Sequence, residues 1–131
     1  MFKGRSNAFR AGTLARKNAV QEALTYSLSG CGMSREDVAA EMARLTGEPI
    51  SRGHIDNWCS EGKRDWRFPL EYVTAFCVVT GDYGLVAAVL AGTGQGLADE
   101  ETRAFAELGQ TIVEERKISA KLRGMKGNFG I

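Results

Sequence analysis

The side chains best equipped for chemistry in this 131-residue sequence crowd into one stretch, Ser51 to Arg67. It offers a hydroxyl (Ser51), a guanidinium (Arg52), the sole imidazole (His54), a carboxylate (Asp56) and an amide (Asn57), then Lys63, Arg64 and Arg67. Nucleophilic catalysis needs a base held beside a serine or cysteine, and one histidine among polar neighbours is poor support for it. Cys31, Cys59 and Cys77 are isolated and never form a C-x-x-C pair. A zinc site presents paired ligands at short spacing, so no metal is expected and the thiols read as free and mostly buried. Gly92-Thr93-Gly94-Gln95-Gly96 has the glycines of a phosphate loop but lacks the lysine–serine pair and follows a helical pattern. The expectation is a protein that is not an enzyme, with no catalytic residue and no cofactor.

The same residues suit recognition. Arginine can bond both acceptors of guanine, asparagine can pair with adenine, and a carboxylate can accept from cytosine. Ser51 and the free N–H groups of a helix's first turn can hold a phosphate. Lys63, Arg64 and Arg67 could grip the flanking backbone. The set expected to touch DNA is therefore Ser51, Arg52, Gly53, His54, Asp56, Asn57, Lys63, Arg64 and Arg67. Asp56 counts against purely nonspecific binding, and the plain alternative for all of them is a solvated, capped helix face.

Elements must position this set, and the periodicity is helical throughout, with no run of period-two alternation. Residues 1–12 read as a flexible basic arm, since Gly, Ser and Asn break any apolar period. From Thr13 a helix is expected with Leu14, Val20, Leu24 and Leu28 near one face, ending at Ser29-Gly30-Cys31-Gly32. Ser34 with Asp37 looks like a capping pair opening a helix that carries Val38, Met42 and Leu45 and stops at Thr46-Gly47-Glu48-Pro49. Ser51 caps a short helix anchored by Ile55 and Trp58. A further helix opens at Phe68-Pro69, with Leu70, Val73, Phe76, Cys77 and Thr80 on its apolar face. Thr80-Gly81-Asp82 breaks it, and Asp82 caps the next. The last helix is expected from about Asp99 to Arg123, acidic at its start and basic at its end, as the helix dipole favours. This gives an all-α fold: a compact bundle at 13–91, a Gly-rich link at 92–96, and a C-terminal helix within 97–131 that is a candidate dimerisation element.

Composition agrees with a water-soluble chain, 44% apolar and 25% charged with a net charge of +1. No apolar run approaches the roughly 18 to 20 residues that span a bilayer, and the basic N-terminus lacks the core of a secretory signal. A cytoplasmic protein without membrane contact is expected. Charge is segregated: Lys3, Arg5, Arg10, Arg16 and Lys17 precede the first acidic residue, Glu22, while acids gather at 36–48 and 99–107. Such segregation suits a protein with one anion-binding face.

Ala39 and Ala40 allow two helices to cross closely, and Ile50, Ile55 and Trp58 pin the second to a core, as a helix-turn-helix requires. Ile50-Ser51-Arg52-Gly53-His54-Ile55-Asp56-Asn57-Trp58 resembles the second half of phage-repressor motifs in the spacing of its apolar, serine and tryptophan positions. Seven residues separate Met42 from Ile50, more than the common tight turn holds. With Arg67-Phe68-Pro69-Leu70-Glu71 and Val79-Thr80-Gly81-Asp82-Tyr83, the segment from about Met33 to Leu90 resembles phage regulatory CII-type proteins and lambda-repressor-like helix-turn-helix proteins. That resemblance implies a helical DNA-binding domain and a part in phage or prophage transcription, as activator or repressor. Helix-turn-helix proteins commonly bind paired half-sites. Phe105, Leu108, Ile112, Ile118 and Leu122 form a rough stripe, interrupted by Glu115, suited to a homodimer or higher homo-oligomer; the plain alternative is a core helix packed on the domain of a monomer. The alternative is a protein-binding adaptor or anti-repressor that keeps the helix pair without touching DNA.

Overall fold

The computed structural model describes residues 6–63 and 65–128. Among these there are six α-helices and no strand. They are α1 (Lys17–Gly30), α2 (Arg35–Thr46), α3 (Arg52–Cys59), α4 (Val73–Thr80), α5 (Gly84–Leu90) and α6 (Glu100–Asn128); a 3₁₀ turn, Leu70–Tyr72, leads into α4. The fold is all-α. The chain divides into two compact units, Met1–Gly96 and Leu97–Ile131.

In the first unit the core is a single cluster fed by every helix. Leu24 and Leu28 come from α1, Val38, Ala39 and Met42 from α2, and Ile55 and Trp58 from α3, with Ile50 just before it. Phe76 and Ala75 of α4 and Leu85 of α5 complete it. Helix α1 packs on α5, α3 and α4, while α2 packs on α4 and α3. Burial of the larger of these side chains, about 1.5–3 kcal/mol for each Val, Leu, Ile, Phe or Met fully removed from water, holds the short helices in place. None of α3, α4 or α5 exceeds eight residues, a length that is marginal for an isolated helix.

Local chemistry sets the ends. Ser34 Oγ accepts from the Asp37 N–H at 3.1 Å and opens α2. Gly47 ends it with φ 74°, its N–H donating to the Ala43 carbonyl at 2.9 Å. Thr80-Gly81 repeats the device at the end of α4, Gly81 having φ 70°. In both cases the preceding threonine hydroxyl donates back one turn, Thr46 to the Met42 carbonyl and Thr80 to that of Phe76, each at 2.8 Å. Asp82 Oδ1 then accepts from the Gly84 N–H at 2.8 Å at the start of α5.

Several details depart from the sequence reading. Helix α1 starts at Lys17, not Thr13: residues 6–15 form successive turns instead, and Leu14 is half exposed. Residues 1–5 of the expected arm lie outside the described residues. Leu45 is 46% exposed, since it sits in the last turn of α2 at the rim of a surface depression beside Tyr72 and Val78. Ala40 faces outward while Ala39 is buried. Leu70 is exposed: it lies in the 3₁₀ turn that precedes α4, outside the helix whose apolar face it was expected to join. Pro69 precedes that turn in an extended conformation and is not in its first turn.

In the second unit, Asp99 Oδ1 accepts from the Thr102 N–H at 2.7 Å and opens α6. The helix continues to Asn128, five residues beyond the expected Arg123.

Candidate nucleic-acid interface

Helix α3 is short, and both ends of its mounting are specified. Ser51 Oγ accepts from the His54 N–H at 3.4 Å, and His54 Nδ1 accepts from the Ser51 N–H at 3.0 Å. This reciprocal capping box satisfies two donors that a helix start leaves unpaired. At the other end the Ser60 N–H donates to the Asn57 carbonyl, and the Ser60 carbonyl accepts from the buried Gln21 Nε2 at 3.2 Å. Helix α1 thus holds the exit of α3.

Its inner face is fixed by Ile55, 1% exposed, and Trp58, 5% exposed. Trp58 is the hub of an aromatic cluster: Phe68 meets it edge-on at 5.1 Å, Tyr72 lies at 6.0 Å, and His54 stacks at 5.9 Å. Phe68 passes the chain on to Phe76 at 5.5 Å. Edge-on aromatic pairs add to the area they bury, so the roll of α3 about its axis is set by several rings together.

The connection from α2 to α3 runs from Gly47 to Ser51. Both adjustments needed to accommodate the seven residues after Met42 are present. Helix α2 continues to Thr46, and bends at Gly47 and Glu48 followed by irregular Pro49 and Ile50 lead to Ser51.

The outer face carries exposed Ser51, Arg52 and Gly53, with His54, Asp56 and Asn57 half-buried. Two of these charges are already engaged. Arg52 donates to Glu36 at 2.7 Å and lies 3.5 Å from Asp56, and Asp56 accepts from Arg35 at 2.7 Å. The carboxylate of Glu36 beside Arg52, with Asp56 adding to it, raises the guanidinium pKa further above its ordinary value. Arg35 and Glu36, at the first turn of α2, were not singled out in the sequence; their ionic partners lie 21 and 16 residues away, which periodicity does not reveal. All four groups are partly exposed, where solvent screens ion pairs and leaves them weak. An incoming phosphate or base can therefore compete for the arginines.

Gly53 has no local reason to be glycine. Its φ is ordinary, and an added Cβ would meet only Ser51 Oγ at 3.6 Å, a normal contact. Glycine in a helix costs about 0.5–1 kcal/mol relative to alanine. Such a residue on an exposed helix start leaves room for close approach by another molecule's backbone.

After α3, Lys63 is exposed on a turn closed by its N–H to the Ser60 carbonyl, and Trp66 donates to the Lys63 carbonyl. Trp66 is 42% exposed and lies 6.1 Å from the His54 ring. It sits between Lys63 and Arg67 in sequence and lines a groove of about 310 Å³ with Arg67, Lys17, Trp58 and Phe68. The sequence reading passed over Trp66, although an exposed aromatic between cations is a recognisable signal. Arg67 is exposed, and Arg64 lies outside the described residues.

Arg16, one of the five cations that precede Glu22, has a structural duty. Its guanidinium donates to the Val89 carbonyl at 3.3 Å and to the Ala91 carbonyl, and so caps the end of α5. Burial pushes the Cys59 and Cys77 thiols up from their ordinary pKa, which leaves them less thiolate and less reactive. Among the described residues no group of His, Cys, Asp and Glu is placed to hold a metal ion. No helix among them is long and apolar enough to cross a membrane. No protein-family model, curated protein or solved structure matches the chain.

Proposed function

We propose that α2 and α3 act as a helix-turn-helix and that the chain is a sequence-specific DNA-binding transcriptional regulator of the phage or prophage type. It works in the cytoplasm as a homodimer or higher homo-oligomer, and its role is binding, not catalysis. The observation that carries this reading is the outer face of α3. A doubly capped, aromatically anchored helix presents Arg52, Gly53 and Asn57 outward, with a glycine that its own geometry does not require. His54, the only imidazole, is committed through Nδ1 to the cap, which supports a recognition role over a catalytic one.

In this reading Asn57 and Arg52 read bases, and Ser51 and the α3 N-terminus receive a phosphate. Lys63 and Arg67 hold the flanking backbone, while Asp56 keeps Arg35 occupied and, with Glu36, Arg52, until a correct site displaces them. Asp56 then acts as a filter against nonspecific DNA.

A second reading is a protein-binding adaptor that keeps the helix pair without DNA contact. The ion pairs of Arg52 and Asp56 favour it, because they satisfy the two most informative charges within the protein.

Anisotropy titration of a labelled duplex at 50 and 200 mM salt separates the two. The regulator loses affinity steeply with salt, each neutralised phosphate adding about 0.9 to the log–log slope. Asp56→Asn, which releases Arg35 and leaves Arg52 only its Glu36 partner, raises affinity for nonspecific duplex and steepens the slope. Absence of duplex binding at 50 mM salt by both wild type and Asp56→Asn would establish the adaptor instead.

A further inference from the structure

Every described side chain of α6 from Glu100 to Met125 is exposed; with Val113 set apart on the far side of the helix, about 160° round from Glu115, its other large apolar residues are six: Phe105, Leu108, Ile112, Ile118, Leu122 and Met125. They are between 41% and 64% accessible. They do not make one straight stripe. At about 100° per residue, the first three lie to one side of the direction of Glu115 and the last three to the other. The apolar band therefore winds across the helix, crossing its own midline at Glu115.

The band is symmetric about that residue. Ile112 and Ile118 stand three positions either side of Glu115, Leu108 and Leu122 seven, Phe105 and Met125 ten. Charge is antisymmetric about the same point. Residues 99–115 hold six carboxylates against the single cation Arg103, while 116–125 hold Arg116, Lys117, Lys121 and Arg123 and no acid.

We propose that α6 pairs with a second copy of itself, antiparallel, with the two-fold axis at Glu115. This rests on the self-association reading above and adds to it a direction and a register. Turning one helix end for end about Glu115 places Leu108 on Leu122 of the copy, Ile112 on its Ile118 and Phe105 on its Met125. The same operation lays the acidic half of each helix along the basic half of the other. A parallel pair would set acid on acid and base on base, which like-charge repulsion opposes. Because the band winds, the two helices cross instead of running side by side. Glu115 faces its own copy at the axis, so neutralising it strengthens the pair.

The test uses the full chain with Leu108→Cys, Leu122→Cys and an equimolar mixture of the two, under mild oxidation, after sedimentation has set the oligomeric state. The wild type gives the background from Cys31, Cys59 and Cys77. Positions 108 and 122 are about 21 Å apart along one helix, far beyond the Cα separation of about 4.4–6.8 Å that a disulfide spans. The proposal predicts a dimer whose mixture forms cross-links while each single variant does not, and tighter association for Glu115→Gln. Cross-linking of the single variants with themselves would leave self-association standing and overturn the antiparallel register. A chain that sediments as a monomer at tens of micromolar would overturn both.

Discussion

Replacing Gly53 by alanine should make the protein more stable and worse at binding DNA. The structure supplies both halves. Gly53 is the second residue of α3, has an ordinary backbone conformation, and offers a new methyl group no contact closer than Ser51 Oγ at 3.6 Å. Alanine therefore fits, and by reducing the freedom of the unfolded chain it contributes about 0.5–1 kcal/mol. In a unit of this size that corresponds to a rise in Tm of roughly 2–8 °C. The methyl would also stand on the exposed start of α3, where a DNA backbone is proposed to approach, so duplex affinity should fall at least severalfold. Thermal melts by circular dichroism and anisotropy titrations on the same preparation read the two effects. A lower Tm would refute the account of the α3 backbone. A higher Tm with unchanged affinity would refute the close approach.

Other consequences concern the mounting of the helices. Ser51→Ala should cost about 1 kcal/mol, and Ser51→Ala with His54→Ala together less than the sum, since Ser51 Oγ also lies 3.0 Å from His54 Nδ1. Additive urea-unfolding losses would show that the two caps act independently. Arg16→Ala should lower stability by about 1–2 kcal/mol, as expected for charge-assisted bonds to carbonyls with some solvent access, and should speed amide exchange in α5. Unchanged exchange there would contradict its capping role. Asp99 has a carboxyl pKa held below its ordinary 3.8 by the Thr102 N–H and hydroxyl. Its contribution to α6 is complete above that ordinary value and disappears as pH falls through the lowered one. Asp99→Asn should remove this acid-side loss of helicity; an identical acid transition in both proteins would contradict it.

How much of this was legible in the sequence depends on the range of each interaction. Ser34, Ser51, Gly47, Gly81 and Asp99 act within a few residues, and their types and spacing announced the helix ends. Ile55 and Trp58 declared themselves as anchors through spacing from Ser51. Leu14, Leu45 and Leu70 misled, because apolar period says which face a residue would take in a continuous helix but not where the helix or its covering neighbours stop. Arg16 looked like one more cation of the basic N-terminal stretch before Glu22, since the carbonyls it caps lie more than 70 residues away. The restraint of Arg52 and Asp56 by Glu36 and Arg35 was hidden for the same reason: it exists only once α2 and α3 are packed together. The winding of the α6 band was present in the numbers, but the interruption at Glu115 disguised a change of face as a gap in a single stripe.

The most direct test of the central claim is selection from a random duplex pool by the wild-type chain, followed by the same selection with Asn57→Ala and Arg52→Ala. If α3 reads DNA, a short two-fold-related site is enriched, and each variant relaxes the preference at particular positions in both half-sites, at about 1–3 kcal/mol per lost base contact. Enrichment that survives both substitutions unchanged, or no enrichment at all, would contradict the reading of α3 as the recognition helix.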